Sequence, residues 1–156
     1  MDRPKRKENR LPEYNYSQPG CYFVTVCTAN REKCLSEIIV GADVLIGPQV
    51  QLSPCGQIVK DVLDHMPTVE KYVIMPDHLH ILFRLNGIEA GPVRTPAPTQ
   101  SLPMLVRYMK RRVTITYGKS IWQRGYHDHI IRDDKDYQAA WAYIDTNPFH
   151  RKKESH

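Results

Sequence analysis

The chain reads as an α+β domain, on three observations. Residues 21–28 are rich in β-branched and aromatic side chains, and residues 78–85 alternate in the two-residue rhythm of a strand. Ser53-Pro54 and Ser101 each open a stretch with helical spacing. Strands and helices interleave along the chain without the regular winding of repeated βαβ units.

In chain order, Pro19-Gly20 leads into Cys-Tyr-Phe-Val-Thr-Val-Cys-Thr, whose β-branched and aromatic side chains predict a first strand over 21–28. A weaker strand or hairpin is expected over 43–52. Ser53 then caps a helix to about His65, with Ile58, Val62 and Met66 as its apolar positions and Pro67 closing it. Residues 71–75 form another strand, Pro76-Asp77 breaks it, and a further strand runs from His78 to Leu85. The Gly, Pro, Ala and Thr content of 86–100 predicts an exposed loop. A helix follows over 101–117, with Leu105, Met109, Arg112 and Val113 along one side. Residues 120–132 look extended, and Asp133 or Asp134 caps a final helix expected to end before Pro148.

The 156 residues suit one domain, and the apolar (41%) and charged (25%) fractions are those of a soluble globular protein. The sequence shows neither an apolar run of membrane-spanning length nor a signal-peptide core, so a cytoplasmic setting without a membrane partner is expected. The four cysteines, Cys21, Cys27, Cys34 and Cys55, lack Cys-x-x-Cys spacing, which argues against a zinc ribbon or a redox pair. A net charge of +5 suits a polyanionic partner. It is gathered in a basic arm over 1–12 (with Arg6 and Arg10), in Lys110-Arg111-Arg112, and in a tail over 151–156. The main domain spans 13–150.

His78 and His80 bracket Leu79, and on a strand they share a face opposite Leu79, Ile81, Phe83 and Leu85. Two imidazoles side by side on a rigid strand are half of a metal site. A second His-x-His, His127 and His129, offers a rival pair. In the final helix, at about 100° per residue, Tyr137, Ala140, Trp141 and Ile144 form one core-facing stripe. Tyr143 lies about 110° from its centre, and Asn147 falls only about 40° from Tyr143, one turn on. These two therefore share a flank that can face a cleft.

Several motifs, in order, resemble the single-tyrosine HUH transposases, and among them the REP-associated tyrosine transposases of bacteria. They are Tyr14-Asn15-Tyr16-Ser17-Gln18-Pro19-Gly20, Val73-Ile74-Met75-Pro76-Asp77-His78-Leu79-His80 and Ile121-Trp122-Gln123-Arg124-Gly125-Tyr126. Asp128-His129-Ile130-Ile131-Arg132-Asp133 and Tyr143-Ile144-Asp145-Thr146-Asn147-Pro148 complete the set. The resemblance implies a ferredoxin-like antiparallel sheet carrying the histidines, with helices on one face and a late helix carrying the tyrosine.

It also implies a divalent metal, Mg²⁺ or Mn²⁺, held by His78, His80 and Asn147, with Tyr143 as nucleophile. The implied reaction cleaves single-stranded DNA beside a hairpin from a short palindrome, through a 5′-phosphotyrosine. Arg6, Arg10, Lys110, Arg111, Arg112 and Arg124 are the expected phosphate contacts, and Trp122 and Tyr126 the candidates for stacking on bases. For Trp122, core packing is an equal alternative. A monomer or a homodimer fits the resemblance. Two other functions share these residues: a hairpin-binding regulator without catalysis, and a nickase of the replication-initiator or relaxase kind.

Overall fold

The computed structural model describes residues 20–40, 48–85 and 101–154, with the backbone alone at 40, 48 and 147–154. Arg6, Arg10, most of the Tyr14–Gly20 motif and the 86–100 segment lie outside the described residues.

Strand β1 (Gly20–Cys27) is followed by a one-turn 3₁₀ segment (Ala29–Arg31) and a hairpin of β2 (Ser36–Val40) and β3 (Pro48–Leu52). Helix α1 (Pro54–Asp64), β4 (Val69–Ile74), β5 (His78–Leu85), α2 (Leu102–Tyr117), β6 (His127–Ile131) and α3 (Asp134–Glu154) complete the order. The main sheet is antiparallel in the order β4-β5-β1-β6. With the β2–β3 hairpin set aside, this is the βαββαβ arrangement of a ferredoxin-like fold, as expected.

Alternation along β1 and β5 divides the sheet into two faces. Tyr22, Val24 and Val26 of β1 and Leu79, Ile81 and Phe83 of β5 are fully buried on one face. There they pack with Val59 and Leu63 of α1 and with Leu102, Met109 and Val113 of α2. Both helices start on serine caps: Ser53 Oγ accepts from the Gly56 amide at 3.0 Å, and Ser101 Oγ from Met104 at 3.4 Å. A Cβ at Gly56 would stand 2.0 Å from the Leu35 carbonyl oxygen, so the N-terminus of α1 fits against that backbone only as glycine.

The other face carries α3. Cys21, Leu82, Ala140 and Ile144 form a smaller buried cluster, with Phe23, Val73, Ile131 and Tyr137 packed around it. The helices are thus divided between the faces, α1 and α2 on one and α3 on the other. Asp133 starts α3, its carboxylate accepting from the Asp136 amide at 2.8 Å.

Several local expectations shift. In α1 the buried positions are Val59 and Leu63, while Ile58 and Val62 sit at the margin of the core. The two stripes differ by one residue, about 100° of rotation, and the fit against the sheet selects between them. Arg112 is exposed, and Val106 occupies the buried side of α2 in its place. Trp141 is 38% exposed, with the Lys71 ammonium 4.0 Å over its ring. Helix α3 runs through Pro148 to Glu154. A proline removes one backbone hydrogen bond from a helix, which makes termination favourable but not obligatory.

Candidate active site

The break between β4 and β5 is held from two sides. Met75 N–H donates to His78 O at 2.8 Å and closes the turn. The segment leaving β1 wraps around it: Thr28 N–H donates to Asp77 O at 3.0 Å, and Leu35 N–H to Pro76 O at 3.1 Å. The Thr28 hydroxyl, fully buried, lies within hydrogen-bond reach of Asp77 O as well, at 3.1 Å. The start of β5 is therefore rigid where the histidines emerge.

His78 and His80 share the face of the sheet that carries α3, as their spacing predicts, with ring centroids 4.8 Å apart. They are not surface histidines; both are buried. Each is oriented through Nδ1. The Asp77 carboxylate, an acceptor only, takes the His78 Nδ1 proton at 2.7 Å, which turns the Nε2 lone pair outward. Burial raises the Asp77 carboxyl, but hydrogen bonds from His78 and Arg31, with their charges, outweigh it and hold the group below its usual range. His80 Nδ1 lies 2.8 Å from Thr25 Oγ1, its cross-strand partner on β1. Burial, reinforced by the neighbouring His78 and Arg31, pushes His80 down to about 3, so the ring is neutral at ordinary pH.

His80 Nε2 is buried and has no hydrogen-bond partner among the described residues. A neutral imidazole with its second nitrogen anchored and its first orphaned is the arrangement a divalent metal requires. When Thr25 accepts the Nδ1 proton, Nε2 presents a lone pair beside that of His78. The histidine pair thus fits the expected metal. Among the described residues no group of three His, Cys, Asp or Glu side chains could hold such an ion. Asn147 lies on α3 one turn beyond Tyr143, but its side chain is outside the described residues.

Tyr143 comes from α3 onto the histidines. Its ring is 5.2 Å from that of His80, edge to face, and 5.8 Å from Phe23, which stacks on His80 at 5.2 Å. Tyr143 is 40% exposed, so the nucleophile candidate stands over the pair with one side open to solvent. Tyr137 does other work, donating its hydroxyl to Glu70 at 2.7 Å.

The second histidine pair is on the same face. The β1–β6 register sets His127 opposite Thr25 and His129 opposite Phe23. His129 Nε2 meets the Asp136 carboxylate at 2.9 Å, tying β6 to the first turn of α3.

The expected DNA contacts gather elsewhere. Lys110, Arg111, Trp122, Arg124 and Tyr126 line one groove of about 590 Å³, together with Arg107. It lies between α2 and the 120–126 segment. Lys110 has a structural part here, donating to the carbonyls of Gln123 at 3.0 Å and Gly125 at 2.7 Å. Trp122 and Tyr126 pack partly against the main core while lining the groove. Arg112 is exposed on α2 and is not among the groove residues.

Sequence motifs passed over Thr25, Phe23 and Arg31. Their signal is a register or a turn conformation, and neither is visible in one dimension.

No protein-family model matches the chain. An uncharacterised protein of Haemophilus influenzae is 33% identical over 165 residues, spanning 92% of this chain and 88% of the relative. The REP-associated tyrosine transposase of Escherichia coli K12 is 28% identical over 141 residues, spanning 88% and 73%. A solved structure of a REP-associated tyrosine transposase bound to a REP hairpin covers 94% of this chain and 74% of that one, with a TM-score of 0.59. At 22% identity, that likeness is one of fold. No helix among the described residues is long and apolar enough to cross a membrane. In sequence over most of its length the chain is similar to REP-associated tyrosine transposases, which are enzymes that act on DNA, and in fold it is similar to the hairpin-bound structure.

Proposed function

We propose that this chain cleaves and rejoins single-stranded DNA beside a hairpin, with Tyr143 as nucleophile and a divalent metal at His78 and His80. The observation that carries the reading is the convergence on one sheet face of Tyr143 with two anchored, buried imidazoles, one with an orphaned nitrogen. The hairpin carried by the solved relative supports a palindromic DNA partner for this chain too.

His78 Nε2 and His80 Nε2 would hold Mg²⁺ or Mn²⁺, with Asn147 as third ligand. Imidazole donors favour Mn²⁺ as the ion for a first assay. When bound, the metal supplies charge neutralisation and alignment at the scissile phosphate. The protein positions the rest. Thr25 and Asp77 keep the imidazoles in place, and the edge contacts with His80 and Phe23 hold the Tyr143 ring over them. Tyr143 Oη attacks phosphorus, the bond to the 3′ oxygen breaks, and the strand leaves with a 3′-hydroxyl. The phosphate remains on Tyr143 as a 5′-phosphotyrosine. Attack by a 3′-hydroxyl then reverses the exchange and frees the tyrosine. The groove along α2 offers cations for phosphates and aromatic rings for bases.

The test incubates the protein with labelled single-stranded hairpin DNA from the flanks of its own gene and Mn²⁺, then resolves adducts on a denaturing gel. A covalent adduct is expected, absent in Tyr143→Phe and after chelation. Tight binding with no adduct under any metal would overturn the reading in favour of a hairpin-binding regulator.

A further inference from the structure

Arg31 belongs to none of the motifs that mark the site, yet the fold delivers it there. After β1 the chain turns through Ala29–Arg31, and Asn30 and Arg31 adopt φ of 57° and 54°. Such left-handed backbone is uncommon for residues bearing a Cβ and persists where surrounding contacts enforce it. Here the enforcing contacts are those of Thr28 and Leu35 around Pro76-Asp77, together with the bond from Arg31 N–H to Thr28 O at 3.1 Å.

The turn aims the guanidinium at the start of β5. Nε donates to Asp77 Oδ2 at 3.2 Å, and Nη1 reaches Cys27 Sγ at 3.4 Å. The other Asp77 oxygen is the one that receives the His78 proton. Asp77 and Arg31 differ sharply in exposure. The Asp77 side chain is 6% exposed, whereas that of Arg31 is 52% exposed. The Arg31 side chain therefore reaches solvent while its Nε holds a buried carboxylate, which leaves the outer edge of the guanidinium accessible to a ligand. Its charge is felt at His80, so this solvent-facing cation stands close to the histidine pair.

We propose that Arg31 contacts the substrate: its outer edge receives a non-bridging oxygen of the phosphodiester at the histidine pair, while Nε orients His78 through Asp77. The proposal deepens the DNA-cleaving function above and rests on it. A guanidinium suits both duties, because its planar fork serves two partners at once and stays charged. A lysine ammonium offers no such fork. Charge that builds on the phosphoryl oxygens during attack is stabilised by donors already in position.

The test uses the full chain and the oligonucleotide that the wild type cleaves, with a second copy carrying an uncharged methylphosphonate at the cleaved linkage. Affinities are measured in EDTA on a Tyr143→Phe background, so that neither metal nor cleavage intervenes. The methylphosphonate is expected to weaken binding about tenfold, the scale of one charge-assisted hydrogen bond. With Arg31→Gln added, the two DNAs should bind equally. A methylphosphonate that costs nothing with Arg31 present, or that costs as much after its removal, overturns the proposal.

With Tyr143 intact and Mn²⁺ saturating, Arg31→Gln should slow single-turnover cleavage about 100-fold. Arg31→Lys should restore only part of it, and serves as the second variant should Arg31→Gln not fold. Cleavage at the wild-type rate in Arg31→Gln, with His80→Ala inactive, rejects the role of Arg31 alone. If the wild type forms no adduct, the DNA-cleaving reading fails and takes this one with it.

Discussion

The two faces of the sheet are built by different physics. Toward α1 and α2, β1 and β5 present Tyr22, Val24, Val26, Leu79, Ile81 and Phe83, all fully buried. Toward α3, only Cys21 and Leu82 from those strands join Ala140 and Ile144 in a buried apolar cluster. The rest of that face is polar or aromatic: Thr25, His78, His80 and Phe23. Around its edge α3 is fastened by Lys71 to Asp145 at 2.6 Å, Tyr137 to Glu70 at 2.7 Å and His129 to Asp136 at 2.9 Å. Apolar burial contributes about 25 cal/mol per Å², whereas an exposed ion pair contributes roughly 0–1 kcal/mol. One face therefore carries most of the stability. The other is lined by polar groups and holds Tyr143, the proposed nucleophile, on the more weakly fastened helix.

The largest effect should come from the stability face. Phe83→Ala is expected to cost about 3–5 kcal/mol, because it empties a fully buried ring site. Urea denaturation checks this. A loss below about 1 kcal/mol would mean the two faces are not so unequal.

Next is Asp77→Asn on the site face. The amide keeps the volume but cannot hold the His78 ring as a carboxylate does, and Mn²⁺ affinity should fall about 10–100-fold. Titration calorimetry measures this without DNA, and unchanged affinity would separate Asp77 from His78, the proposed metal ligand it touches.

A smaller effect concerns pH. His80 is depressed from 6.5 in the unfolded chain to about 3 in the folded protein, chiefly by burial. Between those values the unfolded chain binds a proton that the native ring refuses, so the unfolded state gains as the medium acidifies. Stability from the neutral ring is complete above pH 6.5 and falls as pH drops toward 3. The metal-free protein should lose about 1–2 kcal/mol from this residue by pH 5. His80→Phe should flatten that slope in thermal melts at matched pH, and an unchanged slope would place the acid sensitivity elsewhere.

The smallest effect sharpens the contrast between helices. Lys71→Ala removes the Asp145 ion pair and the cation over Trp141. Global stability should change by less than about 1 kcal/mol. Yet amide exchange in α3 should accelerate while that in α1 and α2 stays as it was. Uniform acceleration would show that α3 opens only with the whole domain.

Much of the frame was legible in sequence because it is local. The serine caps of α1 and α2 act within one turn, and the β-branched and aromatic content of β1 and the alternation of β5 are properties of each strand alone. So is the separation of Tyr143 from the Tyr137–Ile144 stripe. Less legible was whatever depended on a partner. The hairpin expected over 43–52 has its first strand at Ser36–Val40, where pairing with Pro48–Leu52 supplies what propensity did not announce. The buried stripe of α1 sits one residue from the expected one because the sheet, not the helix, sets its rotation. Pro148 did not end α3, since a single missing donor does not terminate a helix.

By itself the sequence determined the α+β class, the helix starts and the pairing of His78 with His80 on one face. Backbone periodicity and capping operate over a few residues, so each of these is written in a short segment. Only the tertiary structure decided that Thr25 and Asp77 anchor the two imidazoles and that Tyr143 stands over them. It also decided that Arg31 turns back onto Asp77. Those contacts join residues far apart in the chain, and they exist because sheet register and helix docking bring them within hydrogen-bond or ring-contact distance.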